Sequence, residues 1–283
     1  MHWTDRRERY RAVIGGGECI HPGSVFDAMS ARIAEDLGFE VGMFAGSTAS
    51  LTVLGAPDLI VLTLSEFAGQ AYRINRAGKL PLMVDADHGY GNALNVMRTI
   101  QELETAGVAG IMVEDTILPR TFGEKKPGLI SIEEGVGKMK AALSAREDKS
   151  LVIIGRTSAA ALTSPEDALA RAKAYEKVGV DAMFFAGGVT PEFLEAVHAE
   201  VRIPLMLGGG GMPDRAYLAS KGVRIALQGH QPIMAAVQAV HATLKALREG
   251  TKPSALQGVA SAELMARVTR DADYKRWTDE FLT

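Results

Sequence analysis

Eight short apolar runs, each followed by a longer amphipathic stretch, recur along the 283 residues of the chain. They centre on Cys19, Met43, Met83, Met112, Ile153, Phe184, Met206 and Ala226. Each is apolar almost throughout, the pattern of a parallel strand buried on both faces. The stretches between them, such as SVFDAMSARIAEDLGF, NALNVMRTIQELETAG and SPEDALARAKAYEKVG, have helical spacing. Ser164 is placed to cap the last of these, with Pro165, Glu166 and Asp167 after it. Gly38, Gly107, Gly179 and Gly222 end helical stretches where a left-handed cap is expected. Strand and helix alternating eight times predict an α/β chain of the (β/α)8 TIM-barrel class rather than an open doubly wound sheet. No low-complexity linker interrupts the pattern. The expectation is one barrel domain over 1–283, with 250–283 a helical C-terminal extension that has no strand pattern.

Composition removes several function classes. A net charge of −3 without a Lys/Arg stripe argues against nucleic acid or an anionic membrane as partner. Aromatic residues make up only 6%, too few for a base-stacking surface. Cys19 is the single cysteine, so neither an internal disulfide nor a cysteine-rich metal site can form. The start, MHWTDRRERY, lacks an apolar leader core, and no run approaches the roughly 20 apolar residues of a membrane span. A soluble, cytoplasmic protein is expected.

A barrel carries its chemistry at the C-terminal ends of its strands. The polar residues closing the apolar runs are Gly46-Ser47, Asp85 with Asp87 and His88, Glu114, Arg156 and His230. Asp85 and Asp87, two apart, are expected on one face of a strand, with Glu114 beside them from the next. Three converging carboxylates repel, and a divalent cation relieves that; oxygen ligands suit Mg²⁺ or Mn²⁺. The plainer reading has these acids capping helices or pairing with Lys and Arg. Arg156 could hold a substrate carboxylate or make a structural ion pair. Gly46 lets the backbone beside Ser47 approach a ligand. His230 could donate to an oxyanion or carry a proton, or simply start a helix. His88 could orient the aspartate pair. Gly208–Gly211, with no Lys or Arg before Arg215, reads as a mobile gate rather than a phosphate cradle.

The segment Val84-Asp-Ala-Asp-His-Gly-Tyr-Gly91, with Ala56-Pro-Asp58 before it and Val113-Glu-Asp115 after it, resembles the phosphoenolpyruvate mutase/isocitrate lyase superfamily. Ser-Val-Phe-Asp27, the stretch from Asp87 to Met97, and Glu-Glu-Gly-Val-Gly-Lys138 look like its oxaloacetate decarboxylase branch. The resemblance spans roughly residues 15–245. It implies Asp85 as the main metal carboxylate, with Asp87 and Glu114 acting directly or through water. It implies that Ser47, the Gly46 backbone and Arg156 hold substrate, that His230 touches it, and that Asp58 supports the ligands. It further implies a homotetramer of paired subunits with the C-terminal helix swapped between neighbours.

Departures narrow the chemistry. Where C–C lyases of the superfamily carry a catalytic cysteine, this chain has Gly123-Glu-Lys-Lys-Pro-Gly128. Phosphonomutases place an asparagine in that loop; here none follows Lys125 and Lys126. Ser158 stands where many members have Asn or Asp, and the tetraglycine replaces a bulkier gating residue. The expected activity is Mg²⁺-dependent decarboxylation of oxaloacetate, a small α-keto dicarboxylate, to pyruvate and CO2 through a metal-stabilised enolate. The alternatives are a C–C lyase or hydrolase of a substituted malate or oxaloacetate, and a metabolite-binding barrel without catalysis.

Overall fold

A computed structural model describes residues 3–208 and 214–283. These form two compact units, Met1–Gly229 and His230–Thr283. The first opens with α1 (Thr4–Gly15), β1 (Gly23–Ser24), α2 (Ala28–Asp36), β2 (Gly42–Ala45), α3 (Gly46–Ala49) and α4 (Leu64–Ala77). Next come β3 (Leu82–Asp85), α5 (Ala93–Thr105), β4 (Gly110–Glu114), α6 (Ile132–Ala145), β5 (Val152–Thr157), α7 (Ala159–Leu162) and α8 (Pro165–Val178). It ends with β6 (Ala182–Ala186), α9 (Pro191–Glu200), β7 (Leu205–Gly208), α10 (Arg215–Ser220) and β8 (Val223–Ala226).

The strands pair in parallel in sequence order, β1 through β8, which is a (β/α)8 arrangement and not a doubly wound one. Ile20, just upstream of β1, bridges Ile225 of β8 and ties the last strand back to the first. Its N–H donates to the Arg224 carbonyl at 2.9 Å, and its own carbonyl accepts from Ala226 at 3.0 Å. The first apolar run is therefore not a full strand. Cys19 lies before β1, which is only two residues long. The remaining runs become β2 to β8.

Strand alternation separates two cores. Outward residues such as Phe44, Val84, Ile111, Ile153 and Phe185 pack under the helices. Inward residues Met43, Met83, Met112, Ile154, Phe184 and Met206 fill the barrel, and flexible methionines suit its irregular interior. Tyr10 of α1 joins this inner core, fully buried, with its hydroxyl 3.7 Å from the Met83 sulfur. Gly110 makes room for it, since a β-carbon there would come within 2.6 Å of Tyr10 Cε1. Arg7 and Arg11 fasten α1 by donating to the carbonyls of Val108 and Ser150, at 3.0 and 2.8 Å. One end of the barrel is thus plugged, and the chemistry is left to the other.

Helix ends follow the expected signals. Ser164 accepts from the Asp167 N–H at 3.2 Å, and Asn92 caps α5 by accepting from Leu94 at 2.9 Å. Gly38, Gly107, Gly179 and Gly222 all have φ between +79° and +101°. The second unit holds α11 (Gln231–Arg248), a 3-10 turn (Pro253–Ala255), α12 (Ala262–Thr269) and α13 (Asp271–Phe281). Among the described residues, no helix is long and apolar enough to cross a membrane.

Candidate active site

Period-two alternation brings the charged residues inward. Met83, Met112 and Ile154 face the barrel interior, so Asp85, Glu114 and Arg156, each two residues on, face the same way at the strand ends. Glu114 lies opposite Arg156 in the β4–β5 register. Arg156 Nη1 donates to Asp85 Oδ2. Its Nε lies 3.5 Å from Glu114 Oε2, buried and without a hydrogen-bond partner. Glu114 Oε2 accepts instead from the Thr116 hydroxyl at 2.7 Å. Phe184, paired with Arg156 across β5–β6, presents its ring 5.8 Å from the guanidinium carbon. Of the two sequence readings of Arg156, the ion pair is what the structure contains.

Asp87 reaches the site by a different route from the one its spacing suggests. β3 ends at Asp85, so Asp87 is not on a strand and the pleat does not align the two. Asp87 has φ +48°, Gly89 +76° and Tyr90 +61°, so the chain turns through the left-handed region. Asp87 N–H donates to Asp85 Oδ1 at 3.2 Å, and its carbonyl accepts from Glu114 N–H at 2.8 Å. Its carboxylate lies against Gly46, where any β-carbon would collide with it. Gly46 and Ser47 begin α3, which runs into a π-helical turn over Ser50–Leu54, a distortion common at functional sites. Asp58 lies in the exposed segment beyond that turn.

The electrostatics are those of crowded acids. Burial pushes the Asp87 carboxyl well above the usual carboxylate range; Asp85, Glu114 and Asp58 push the same way, and Arg156 opposes them. Burial also raises Glu114, against the pull of Arg156. Burial alone would lower Arg156, but Asp85 and Glu114 outweigh it and hold the guanidinium above its ordinary value. The Tyr90 phenol is raised by burial and then by Asp87 and Asp85, so it stays neutral. His88 is pushed down to about 4 by burial and by Lys138. Its Nδ1 is buried with no hydrogen-bond partner, and its ring makes no hydrogen bond to Asp85 or Asp87 among the described residues.

Among the described residues, no group of three or more acids or histidines forms a ready metal cage. Arg156 stands between Asp85 and Glu114, and Asp87 is turned onto Gly46. The donor set still fits a divalent cation. One guanidinium faces three carboxylates, Glu114 buried and Asp85 and Asp87 half-buried, so it leaves negative charge uncompensated. Hard oxygen donors of this kind suit a small divalent ion.

His230 is the first residue of the second unit and precedes α11. Gly208 ends β7, where a β-carbon would come within 2.8 Å of Phe184 Cζ; Gly209–Gly211 of the expected gate lie outside the described residues. Ser158 precedes α7 without capping it through its side chain. Thr116 and Phe184 carry no functional expectation from the sequence, and Tyr90 lies in the Val84–Gly91 motif without a role of its own. Thr116 could have been suspected from its place two residues after Glu114. Phe184 carries no signal beyond its apolar strand.

Comparison with known proteins agrees with this fold. Residues 15–248 match the family described as phosphoenolpyruvate phosphomutase. A protein of Bradyrhizobium diazoefficiens named oxaloacetate decarboxylase is 62% identical over 279 residues, covering 97% of this chain and 96% of that one. A solved oxaloacetate acetylhydrolase, in complex with the inhibitor 3,3-difluorooxalacetate, superposes with a TM-score of 0.86 at 25% identity, covering 98% of this chain and 97% of its own. A phosphonopyruvate hydrolase complexed with oxalate and Mg²⁺ superposes with a TM-score of 0.86 at 28% identity, over 98% and 99% of the two chains. With an ordered eight-strand barrel, acids at the ends of β3 and β4, and a match over most of its length, the chain belongs to the phosphoenolpyruvate phosphomutase family.

Proposed function

We propose that the protein decarboxylates oxaloacetate to pyruvate and CO2, with Asp85, Asp87 and Glu114 holding Mg²⁺ or Mn²⁺. The observation that supports this most is the set of three carboxylates, one buried and two half-buried, around Arg156, with no nucleophilic cysteine among them. The bound cation supplies Lewis-acid stabilisation of negative charge on the substrate's keto oxygen. The chain's own residues do the rest. Asp85, Glu114 and Phe184 fix Arg156, whose buried, unbonded Nε is a donor in waiting for the substrate carboxylate or keto oxygen. Gly46 keeps the backbone bare beside Ser47, which takes the other oxygens of the C1 carboxylate. Asp58 supports this set from outside it.

The broken bond is C3–C4. The C4 carboxylate leaves as CO2, and its electron pair passes through C3 to the C2 oxygen, giving the enolate of pyruvate. A proton at C3 completes pyruvate, so the reaction consumes one proton and needs no base. Arg156 faces the charge that develops on oxygen, and burial strengthens that interaction. The family resemblance assigns His230 to contact with substrate, and replacement by Gln tests it through turnover. A hydrolase of the same substrate is the second reading, favoured by the likeness to oxaloacetate acetylhydrolase.

The test is ¹³C NMR of labelled oxaloacetate with purified protein and Mg²⁺, against the same metal without protein. Faster pyruvate and CO2, lost in Asp85→Ala, supports the decarboxylase. Oxalate with acetate replaces it by the hydrolase. Metal-dependent binding of oxalate without turnover leaves a binding barrel.

The same proposal includes a cytoplasmic homotetramer, a dimer of dimers with the C-terminal helix swapped. Met234, Val237 and Leu244 on α11, and Trp277 and Phe281 on α13, are exposed. Apolar side chains in such number favour burial against another copy. Light scattering at a protomer or dimer mass would remove this part.

A further inference from the structure

The Glu-Glu-Gly-Val-Gly-Lys138 stretch has so far no place in the chemistry. It forms the first turns of α6, and its lysine does not face water. Lys138 is 3% exposed, a rare state for an amine. Its Nζ donates to the main-chain carbonyl of His88 at 2.8 Å, fifty positions away in sequence. Burial lowers its basicity, while Glu134, Glu114 and Asp115 favour its charged form.

His88 stands in the middle of the turn that carries Asp87 to the site. That turn is costly. Asp87 and Tyr90 are not glycines yet have positive φ, each at a cost of order 1 kcal/mol, and such backbone persists only where its surroundings hold it. Three successive carbonyls are held. Asp87 accepts from the Glu114 N–H, His88 from Lys138 Nζ, and Gly89 from the Thr99 hydroxyl at 3.0 Å. Lys138 supplies the only charged donor of the three, and charge-assisted bonds are roughly twice as strong as neutral ones.

We propose that Lys138 is a positioning residue which, by binding the His88 carbonyl from α6, holds the Asp87–Tyr90 turn so that Asp87 faces Gly46 and the site. It touches neither substrate nor metal. The inference rests on the proposed function only for its effect on metal and turnover; the effect on the turn stands independently.

Two measurements test it on the full-length protein, for Lys138→Met and Lys138→Arg. The first is amide hydrogen exchange of residues 86–91 against α6 itself. Lys138→Met should speed exchange of the turn about tenfold or more, with α6 unchanged, and Lys138→Arg should restore most of the protection. The second is Mn²⁺ binding followed by EPR, where Lys138→Met should weaken affinity about tenfold and lower kcat more than it raises KM. If Lys138→Met does not fold, Lys138→Gln replaces it in both. Unchanged exchange of the turn overturns the proposal, as does equal loss of protection throughout α6, which marks a merely structural lysine. A wild-type protein that binds no Mn²⁺ and leaves oxaloacetate intact removes the proposed function, while the exchange result still decides Lys138.

Discussion

The carboxylate of Asp87 occupies the space that a side chain on Gly46 would need. One residue comes from a left-handed turn after β3 and the other from the first position of α3, so the contact fixes two loops against each other. Gly46→Ala should therefore displace Asp87 by an ångström or so. Misplacement on that scale costs about 100-fold in rate. Ala is the better residue within a helix, by up to about 1 kcal/mol, so stability should hold or rise. Steady-state kinetics with calorimetry check this: a thermal midpoint at or above wild type, with kcat/KM down about two orders of magnitude. Normal kinetics would mean Asp87 can leave Gly46 freely.

Asp87→Asn separates stability from function. The folded Asp87 holds its proton more tightly than an unfolded aspartate, because of burial and then Asp85 and Glu114. Above the ordinary carboxylate range its ionisation therefore opposes folding, and this opposition grows as pH rises towards the raised folded value. An amide of the same shape removes it. The metal-free variant should be more stable at neutral pH, with a higher unfolding midpoint. Its decarboxylase activity should be lost. Denaturant unfolding in EDTA, beside the activity assay, reads both effects.

How much of this was legible in the sequence differs from residue to residue. The runs around Met83, Met112 and Ile153 announce their strands because burial on both faces leaves no polar position inside them. Asp85, Glu114 and Arg156 follow directly, as strand-end residues in phase with the inner core. The run around Cys19 does not become the first strand, because closure there depends on Ile20 pairing with Ile225, about two hundred positions away, which no local pattern encodes. Asp87 comes beside Asp85 by a route that its spacing does not announce. Its spacing suggested a shared pleat, whereas a positive φ delivers it, and a lone aspartate gives little warning of that. Lys138 was hidden because a lysine among glutamates on a helix reads as a wet face, and only the packed turn shows its amine to be enclosed.

Arg156 should not tolerate lysine. Its guanidinium reaches Asp85 through Nη1, approaches Glu114 through Nε and lies near the Phe184 ring. An ammonium is a single point of charge and cannot hold these positions together while presenting a planar donor edge to substrate. Arg156→Lys should lower kcat about 100-fold or more, in the range expected for loss of one oriented donor. Oxalate, offered as an inhibitor, should bind more weakly as well. Wild-type kcat in the lysine variant would show that charge alone suffices.

His88 gives the fold a pH dependence whose sign can be worked out. Burial and Lys138 hold its folded pKa at about 4, against about 6.5 for an ordinary histidine. Between those values the unfolded chain binds a proton that the folded chain does not, so stability rises with pH across the window. The contribution is fully present above about pH 6.5 and is lost as pH falls towards 4; its full size is about 3 kcal/mol. His88→Gln removes the titration and keeps a polar side chain of similar reach. Urea midpoints from pH 4.5 to 7.5 should show wild type losing stability relative to the variant as pH drops, with parallel behaviour above 7. Profiles that stay parallel over the whole range would mean that His88 takes up its proton in the folded protein as readily as in the unfolded one.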